Sequence, residues 1–591
     1  MPDISDIPMM FRAQVKGRNQ LHYIDSDRQK KKRPQDSEIW VEQWTKFATK
    51  EAPTWSDEVK TRKYQFAWRF VTNGGQDDGI TRPVITTTGL PFYPGSSMKG
   101  AFLRACRKLY PDKVELYCGS KDQPGILRFH GGYPTNDWKN QLLDIVHPQQ
   151  DWQVKTINTS QKDGGAYALV SLYEPILKFG ISSTNNLDKR SWNEVWQIWE
   201  MALTFGLGCK TSSGYGAVSC RIDENGNPHP ITIGGEILFQ GKLKGQGQAS
   251  KLLDGTSEFR PNIFRAAIRG HALRIFGGIT NEVAANEIVN DLFGSIKDRD
   301  AEGSQNNIGK LAMNFIPKFP TSFKKGGQGR YEQDIYENVQ GEVIWQIVPQ
   351  LSEDKLSKQE KKVLRKLVNQ LMLFAMLLGG FGNSWRRIDH GKFHRINYEK
   401  VIGCHWQWLK GEWENPLYLP VSKIEGVTEL IEQLRDTACK WLESKDLIHN
   451  PDIYAPNWRE SWHPDTVQVW GRMANSSTGS EAIRWLHHPY QNSQTIRNTN
   501  LTGRISQIGR LWHRMYPLVR IRKNKEGKLS LQSTEKEIEK RIDDYEEYIE
   551  LLTIFPDNSN VTTQFLEFLD SEKSSFRKLW PKKTDEPTEN P

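Results

Sequence analysis

The residues best suited to binding phosphate stand where an extended segment gives way to a helix, within residues 90–106. Pro91 and Pro94 hold the backbone extended, and Gly95 allows it to turn. From Met98 the apolar residues recur at helical spacing. A helix start with free N–H groups, hydroxyls and a lysine favours an anion, although an ordinary capped helix start is the alternative. Ser96 or Ser97 is expected to cap this helix. The candidate phosphate ligands are Ser96, Ser97, Lys99 and Arg104.

A second candidate ligand-binding stretch is the glycine-rich segment Phe205–Gly216. Its four glycines are expected to allow close approach of the backbone to a ligand. The segment lacks the spacing of a Walker loop or a dinucleotide fingerprint. The candidate ligands in this segment are Lys210, Thr211, Ser212, Ser213 and Tyr215.

The two stretches together resemble the RAMP superfamily of CRISPR RNA-binding proteins. The resemblance rests on a proline-flanked G-S-S-x-K-G helix start followed by G-x-G-x-K-T-S-S-G-Y-G. Between them, Gly125–Phe129 and Leu143–Pro148 resemble central strands of that family. The resemblance covers roughly residues 8–400 and implies RNA binding.

The order of predicted strands, helices and glycine-rich loops, and its repetition along the chain, predicts an α+β fold. This fold would have two tandem ferredoxin-like, RRM-like RAMP units with insertions, followed by a mixed C-terminal extension. The repeat shows in Phe259–Arg274, where a proline again precedes an arginine-bearing helix, and in a second glycine-rich stretch at 378–387. The second unit's candidate RNA ligands are Arg260, Arg265, Arg269, Arg386, Arg387 and Lys392. The expected boundaries are 8–228 for the first unit, 229–420 for the second, 421–570 for the extension and 571–591 for a disordered tail.

Carboxylates that could support cleavage stand in residues 25–38, after a predicted first strand Met9–Ile24 and within a loop at 25–60 expected to be mobile. In RAMP subunits that form the backbone of type III CRISPR effectors, an aspartate in the loop after the first strand cuts target RNA with a divalent metal. The resemblance therefore implies that Asp25 or Asp27 cleaves and binds Mg²⁺ or Mn²⁺. Alternatively, these aspartates only balance the basic run beside them. The basic run is expected to contact RNA and consists of Lys30, Lys31, Lys32 and Arg33. In the second unit, the carboxylate that matches Asp25 and Asp27 is Asp254.

The resemblance implies a double backbone subunit of a type III, III-D-like effector. Its partners would be guide crRNA, single-stranded target RNA, neighbouring RAMP backbone subunits, a large polymerase-like subunit and a small subunit. One alternative is a non-catalytic RNA-binding scaffold in the same complex. Another is a metal-independent guide-RNA-processing endoribonuclease that uses His22 or His130 as acid or base.

Composition agrees with these expectations without requiring them. The 591 residues suffice for several domains, and a net charge of +9 has the sign that suits a polyanionic partner. None of the six cysteines forms a C-x-x-C pair, which disfavours a zinc site. The polar start and the short apolar runs predict a cytoplasmic protein without a membrane partner.

Overall fold

The structure is a computed structural model that describes the larger part of the chain. The described ranges are 36–72, 76–77, 80–81, 83–146, 153–155, 167–231, 236–252, 255–295, 309–326, 333–348, 356–382, 386–387, 404–409, 423–447, 453–476, 478–503, 508–517, 521–523, 529–531 and 547–582.

The first unit has the β-α-β-β-α-β order of a ferredoxin-like fold. Its antiparallel sheet has the strand order β5-β4-β1-β3-β2, so each helix links two strands that lie on either side of a third. The elements are α1 Asp36–Phe47, β1 Lys60–Phe66, α2 Gly95–Leu109, β2 Leu127–Pro134, β3 Ile176–Ser183, α3 Lys189–Leu203, β4 Val218–Ile222 and β5 Pro228–Pro230. The predicted α+β, ferredoxin-like fold is confirmed.

Apolar residues at helical spacing explain why α2 and α3 cover this sheet. Phe102 on α2 and Trp199 on α3 are fully buried with Phe179 of β3, whose ring lies 5.0 Å from the ring of Trp199. Helix α3 begins where the side chain of Asp188 accepts a hydrogen bond from the amide of Ser191 at 2.8 Å. The first unit therefore has a core of its own.

The second unit repeats the strand order, with β7-β9-β6-β10 in its sheet and β8 paired to β9. Its elements are β6 Ile237–Gln248, α4 Ile263–Gly277, α5 Glu282–Phe293, β7 Leu311–Pro317, β8 Ser322–Gly326, β9 Gln333–Ile347, α6 Lys358–Phe374 and β10 His405–Trp408, followed by α7 Gly426–Glu443.

A third sheet shows the same order again, β12-β13-β11-β14, within the predicted C-terminal extension. Its elements are β11 Gln468–Ala474, α8 Glu481–His487, β12 Leu511–Pro517, β13 Tyr548–Ile554, α9 Asn560–Asp570 and β14 Arg577–Trp580. The extension therefore contains a third β-α-β-β-α-β unit. One large core cluster runs through the second and third units, so the two are packed together.

Three local predictions are corrected. Part of the predicted loop at 25–60 is helix α1. The sequence predicts a charged amphipathic helix over Glu535–Leu552, but its residues from Tyr548 onward belong to strand β13, which is buried along its whole length. The predicted disordered tail includes β14, because Leu579 and Trp580 are buried against the core. The predicted strand Met9–Ile24 lies outside the described residues.

Candidate nucleic-acid interface

The α2 start, defined as residues 94–99, has no side-chain cap. Pro94 occupies the N-cap position and no acidic residue stands in the first turn, so the prediction that Ser96 or Ser97 caps the helix is wrong. The first helical bond is donated by the amide of Met98 to the carbonyl of Pro94 at 2.9 Å. The amides that precede it keep their N–H groups at the helix end, where an anion is favoured.

Exposed polar side chains lie in the first turn of α2 and further along the same helix. Lys99, Arg104 and Ser96 are exposed. A Cβ on Gly95 would lie 2.1 Å from the carbonyl oxygen of Phe129 on β2, so only glycine lets the helix begin this close to the sheet. The α2 start thus combines a fixed position, positive charge and free amides.

Glycines of the segment Phe205–Gly216 allow this loop to pack directly against backbone atoms of the first unit. A Cβ on Gly208 would lie 2.1 Å from the carbonyl oxygen of Val71, and one on Gly216 would lie 1.8 Å from that of Leu207. Both glycines have positive φ angles. Contact with the protein backbone, rather than approach to a ligand, therefore requires glycine at these two positions.

The turn Thr211–Ser213 presents the three predicted hydroxyls half-buried. Lys210, which precedes it, adopts a left-handed conformation with φ 56° and is partly exposed. The turn packs against strand β7 of the second unit, where a Cβ on Gly214 would lie 3.5 Å from the carbonyl oxygen of Met313. The turn therefore lies where the first and second units meet.

Tyr93 joins the α2 start to the glycine-rich segment. Its hydroxyl donates to the carbonyl of Ser97 at 3.2 Å, and its ring lies 5.8 Å from that of Phe70, which supports Gly208. Burial raises the pKa of Tyr93 to about 12, with Arg104 lowering it and Cys209 raising it. Through these contacts of Tyr93 and Phe70, the α2 start and the glycine-rich segment lie side by side.

Two predicted RNA ligands are instead buried between units. Tyr215 is 2% exposed, and its hydroxyl donates a hydrogen bond to Asp144. Burial is the main cause that raises the pKa of Tyr215 well above its ordinary value, and the nearby Asp144 carboxylate raises it further. Arg260 Nη2 lies 3.0 Å from Asp144 Oδ1, and Arg260 Nε donates to Glu258 Oε2 at 3.2 Å. Arg69 Nε donates to Glu258 Oε1 at 2.6 Å. We call Arg69, Asp144, Glu258 and Arg260 the buried ion-pair network, and it joins the first unit to the second.

The second unit's helix arginines bind within the protein. Arg265 donates to the carbonyl of Phe293, and its guanidinium lies 5.9 Å from that ring. Arg269 Nη2 donates to Asn290 Oδ1 at 3.1 Å. Both arginines are half-buried and hold α4 against α5. The second helix start is therefore less open to an anion than the α2 start.

The second glycine-rich turn also packs on its own unit. A Cβ on Gly379 would lie 2.1 Å from the His271 ring, and His271 Nε2 lies 3.0 Å from the carbonyl oxygen of Gly380. The backbone of Arg386–Arg387 pairs in parallel with β12 of the third sheet. The candidates outside the described residues are Asp25, Asp27, Lys30, Lys31, Lys32, Arg33, Asp254 and Lys392.

In the third unit, a carboxylate of the protein itself binds the backbone amides at the start of α8, the helix equivalent to α2. Glu550 is fully buried and accepts hydrogen bonds from Ser480 Oγ and from the amides of Glu481 and Ala482, at 3.1 and 3.0 Å for the amides. Arg472 Nε lies 3.3 Å and His513 Nε2 3.0 Å from the same carboxylate. An external phosphate would have to displace Glu550 from this helix start.

Sequence reasoning missed two exposed aromatic rings, one between β7 and β8 and one on β8. Phe319 is 56% and Phe323 39% exposed, and Lys318 Nζ lies 5.1 Å from the centre of the Phe319 ring. Exposed rings beside lysines are typical of surfaces that stack on bases. The segment Lys318–Lys325, K-F-P-T-S-F-K-K, carries the signal that would have identified them.

A further loop with carboxylates follows the first strand that the structure describes. Within the described fold that strand is β1, and the loop from its end to α2 contains Asp77 and Asp78. Gln76 pairs with Thr81 and Asp77 with Ile80 in a short antiparallel ladder. In the described part of the chain, no three His, Cys, Asp or Glu residues are grouped as metal ligands.

The helices that the structure describes include none with the length and apolarity needed to cross a bilayer.

One protein-family model matches part of the first unit. Residues 70–219 match the model of the RAMP superfamily. No curated protein matches the chain. Among solved structures, the type III-B Cmr-beta bound to cognate target RNA is 17% identical over 28% of this chain and 58% of that chain, with a TM-score of 0.23. Cmr6 from Pyrococcus furiosus is 15% identical over 28% of this chain and 98% of that chain, with a TM-score of 0.19. Similarities this weak carry no functional argument.

Proposed function

We propose that this chain, whose residues 70–219 match the RAMP superfamily, is an RNA-binding subunit of a type III CRISPR effector. The observation that carries the proposal is the uncapped α2 start with its exposed cations, lying beside the glycine-rich segment within the matched residues. Guide crRNA would be held there by backbone amides and by Lys99, Arg104 and Lys210. Target RNA and neighbouring subunits of the effector would be the other partners.

The chemistry of the site favours phosphate over base edges. Amides at a helix end and flexible cations bind phosphate oxygens and carry no sequence information. Phe319 and Phe323 of the second unit are then available for stacking on bases. We therefore expect RNA of varied sequence to bind with strong dependence on salt.

Replacing both Lys99 and Arg104 by alanine should weaken binding of single-stranded RNA at least about tenfold. A tenfold loss corresponds to about 1.4 kcal/mol of binding free energy. The slope of log K against log salt should fall by about 1 for each cation removed. Fluorescence anisotropy with labelled RNA at several salt concentrations measures both quantities. The control variant removes two exposed lysines outside the first unit, Lys423 and Lys573. Equal losses in both variants would mean that the α2 start is not the binding site.

Cleavage of target RNA is a separate proposal. Carboxylates of the loop after the first strand would hold a divalent metal, Mg²⁺ or Mn²⁺, and their oxygen ligands suit such an ion. A bound metal would stabilise negative charge on the phosphate that is cut. The described strand order favours Asp77 and Asp78 for this role over Asp25 and Asp27.

In the assembled effector, changing Asp77 and Asp78 to alanine is expected to remove one cut in the target RNA, and EDTA should remove it as well. The matched variant with Asp25 and Asp27 changed to alanine should retain every cut. The readout is the ladder of products from end-labelled target. Loss of a cut only in the Asp25 and Asp27 variant would restore the interpretation from the sequence.

The second candidate function is a non-catalytic scaffold, and the second and third units favour it. Arg265 and Arg269 bind within the protein, and Glu550 fills the third helix start. A complete product ladder from both aspartate variants, with RNA binding intact, would support the scaffold.

A metal-independent nuclease has weaker support. His130 Nε2 lies 2.8 Å from Ser182 Oγ on the neighbouring strand, and burial lowers the pKa of His130. His22 lies outside the described residues. Cleavage of repeat RNA by the isolated chain in EDTA would favour this function.

A further inference from the structure

An open groove of about 580 Å³ lies between helices α6 and α7, on the second unit, outside the proposed RNA site. Its lining residues are Gln359, Lys362, Val363, Arg365, Lys366, Asn369, Gln370, Leu373, Thr437 and Lys440. The two helices run antiparallel, with Lys445 at the end of α7 bound to Glu360 at the start of α6. We call this feature the basic groove.

The floor of the basic groove is largely aliphatic. Val363 is half-buried and packs against the main core, and Leu373 is 8% exposed. Lysine and arginine side chains add their methylene stems to such a surface. None of the lining residues is aromatic, so a nucleic-acid base would find no ring on which to stack.

The rim of the basic groove is cationic. Lys362 and Lys366 are exposed and have no ion-pair or hydrogen-bond partner among the described residues. Arg365 lies 3.6 Å from Glu236, a carboxylate that Lys361 already binds at 2.7 Å. Lys440 pairs with Asp436 one turn earlier on α7, with both side chains more than half exposed. The uncompensated charge of the groove is therefore positive and lies on α6.

A buried acceptor lies beside this rim. Gln370 is 5% exposed, and among the described residues neither its side-chain oxygen Oε1 nor the side-chain oxygen of the neighbouring Asn369 has a hydrogen-bond partner. Buried polar atoms are normally paired. A donor from an occupant of the groove would provide the missing hydrogen bonds.

We propose that the basic groove binds an acidic amphipathic helix of a partner protein. An amphipathic helix buries its apolar face in a groove between two helices, and its flanking glutamates and aspartates would pair with Lys362, Arg365 and Lys366. A polar side chain on its apolar edge would donate to Gln370. The inference is independent of RNA binding by the first unit.

The test uses a labelled synthetic helix with leucines at i, i+3, i+4 and i+7, one glutamine at the edge of that face, and glutamates elsewhere. Its binding to the full chain is measured by fluorescence anisotropy. A peptide with lysines in place of the glutamates should bind at least tenfold more weakly. A single-stranded RNA serves as the third probe.

Charge reversal with Lys362→Glu and Lys366→Glu should weaken binding of the acidic peptide at least tenfold and leave RNA binding unchanged. The control, Lys121→Glu with Lys189→Glu, makes the same charge change at exposed sites of the first unit and should leave peptide binding unchanged. Gln370→Leu should weaken the peptide severalfold while the thermal transition is retained. Equal affinity for acidic and basic peptides would overturn the proposal. So would loss of RNA rather than peptide binding on charge reversal, which would make the groove a nucleic-acid site.

Discussion

Replacing Glu258 by alanine is expected to lower the free energy of unfolding by about 3–5 kcal/mol. The carboxylate of Glu258 is 2% exposed and binds Arg69, Arg260 and the indole N–H of Trp68, the last at 3.1 Å. Its removal leaves buried guanidinium groups without their compensating charge. Urea denaturation followed by tryptophan fluorescence measures the loss.

A matched control for Glu258 is Glu425. It pairs with Arg577, but both side chains are more than half exposed. Solvent screens such a pair, so Glu425→Ala should cost less than about 1 kcal/mol. Similar losses in the two alanine variants would mean that the buried ion-pair network does not hold the first and second units together.

The glycine-rich segment should respond to the same change. Asp144 is bound by both Arg260 and the Tyr215 hydroxyl, so disturbing the network also releases the anchor of Tyr215. Two residues that the sequence suggested as RNA ligands would therefore affect RNA binding only through the position of this segment. We infer that Tyr215→Phe weakens RNA binding less than Lys99→Ala does.

Replacing Glu550 by alanine is the second large destabilisation that we expect, again about 3–5 kcal/mol. His513 and two amides of α8 would lose their hydrogen-bond partner inside the third unit, and Arg472 would lose its counter-charge. Glu550→Gln keeps an oxygen for the amides and should cost less. Thermal and urea unfolding of the three proteins give the comparison.

The stability conferred by Glu550 should depend on pH. Burial raises the pKa of Glu550, but hydrogen bonds from His513 and Ser480 and the charges of His513 and Arg472 hold it below its ordinary value. A depressed pKa stabilises the fold above the pKa of the unfolded chain, about 4.3 for glutamate. That contribution is lost as pH falls through the folded-state pKa. The difference between the wild-type chain and Glu550→Gln should therefore shrink from about pH 5 downward; a gap that widens on acidification would contradict the proposed role of Glu550.

The three units show how one strand order serves different purposes. At the α2 start the amides have no side-chain cap and exposed cations stand beside them. In the second unit arginines of the matching helix hold α5, and in the third the protein supplies its own anion. We infer that the first unit presents the main RNA-binding face, and that the second and third units support it.

Local sequence by itself determined the α2 start, the helix that follows it, and the glycine turns. Prolines, glycines and helical spacing act over a few residues, so their effect can be read without the rest of the chain. The β-α-β-β-α-β order of the first two units was also predictable, because proline-led helices and glycine-rich turns recur in that order. The third unit lacks those markers, and its sheet was missed.

Only the tertiary structure decided which polar side chains remain accessible. Arg69 and Glu258 are 189 residues apart, and Tyr215 and Asp144 are 71 apart, so nothing local announces that they bind each other. Tyr215 and Arg260 look like surface ligands in the sequence and are buried in the fold, whereas Phe319 looks like core and is exposed. Burial depends on how distant segments pack, and a residue's type and its neighbours in the chain do not contain that information.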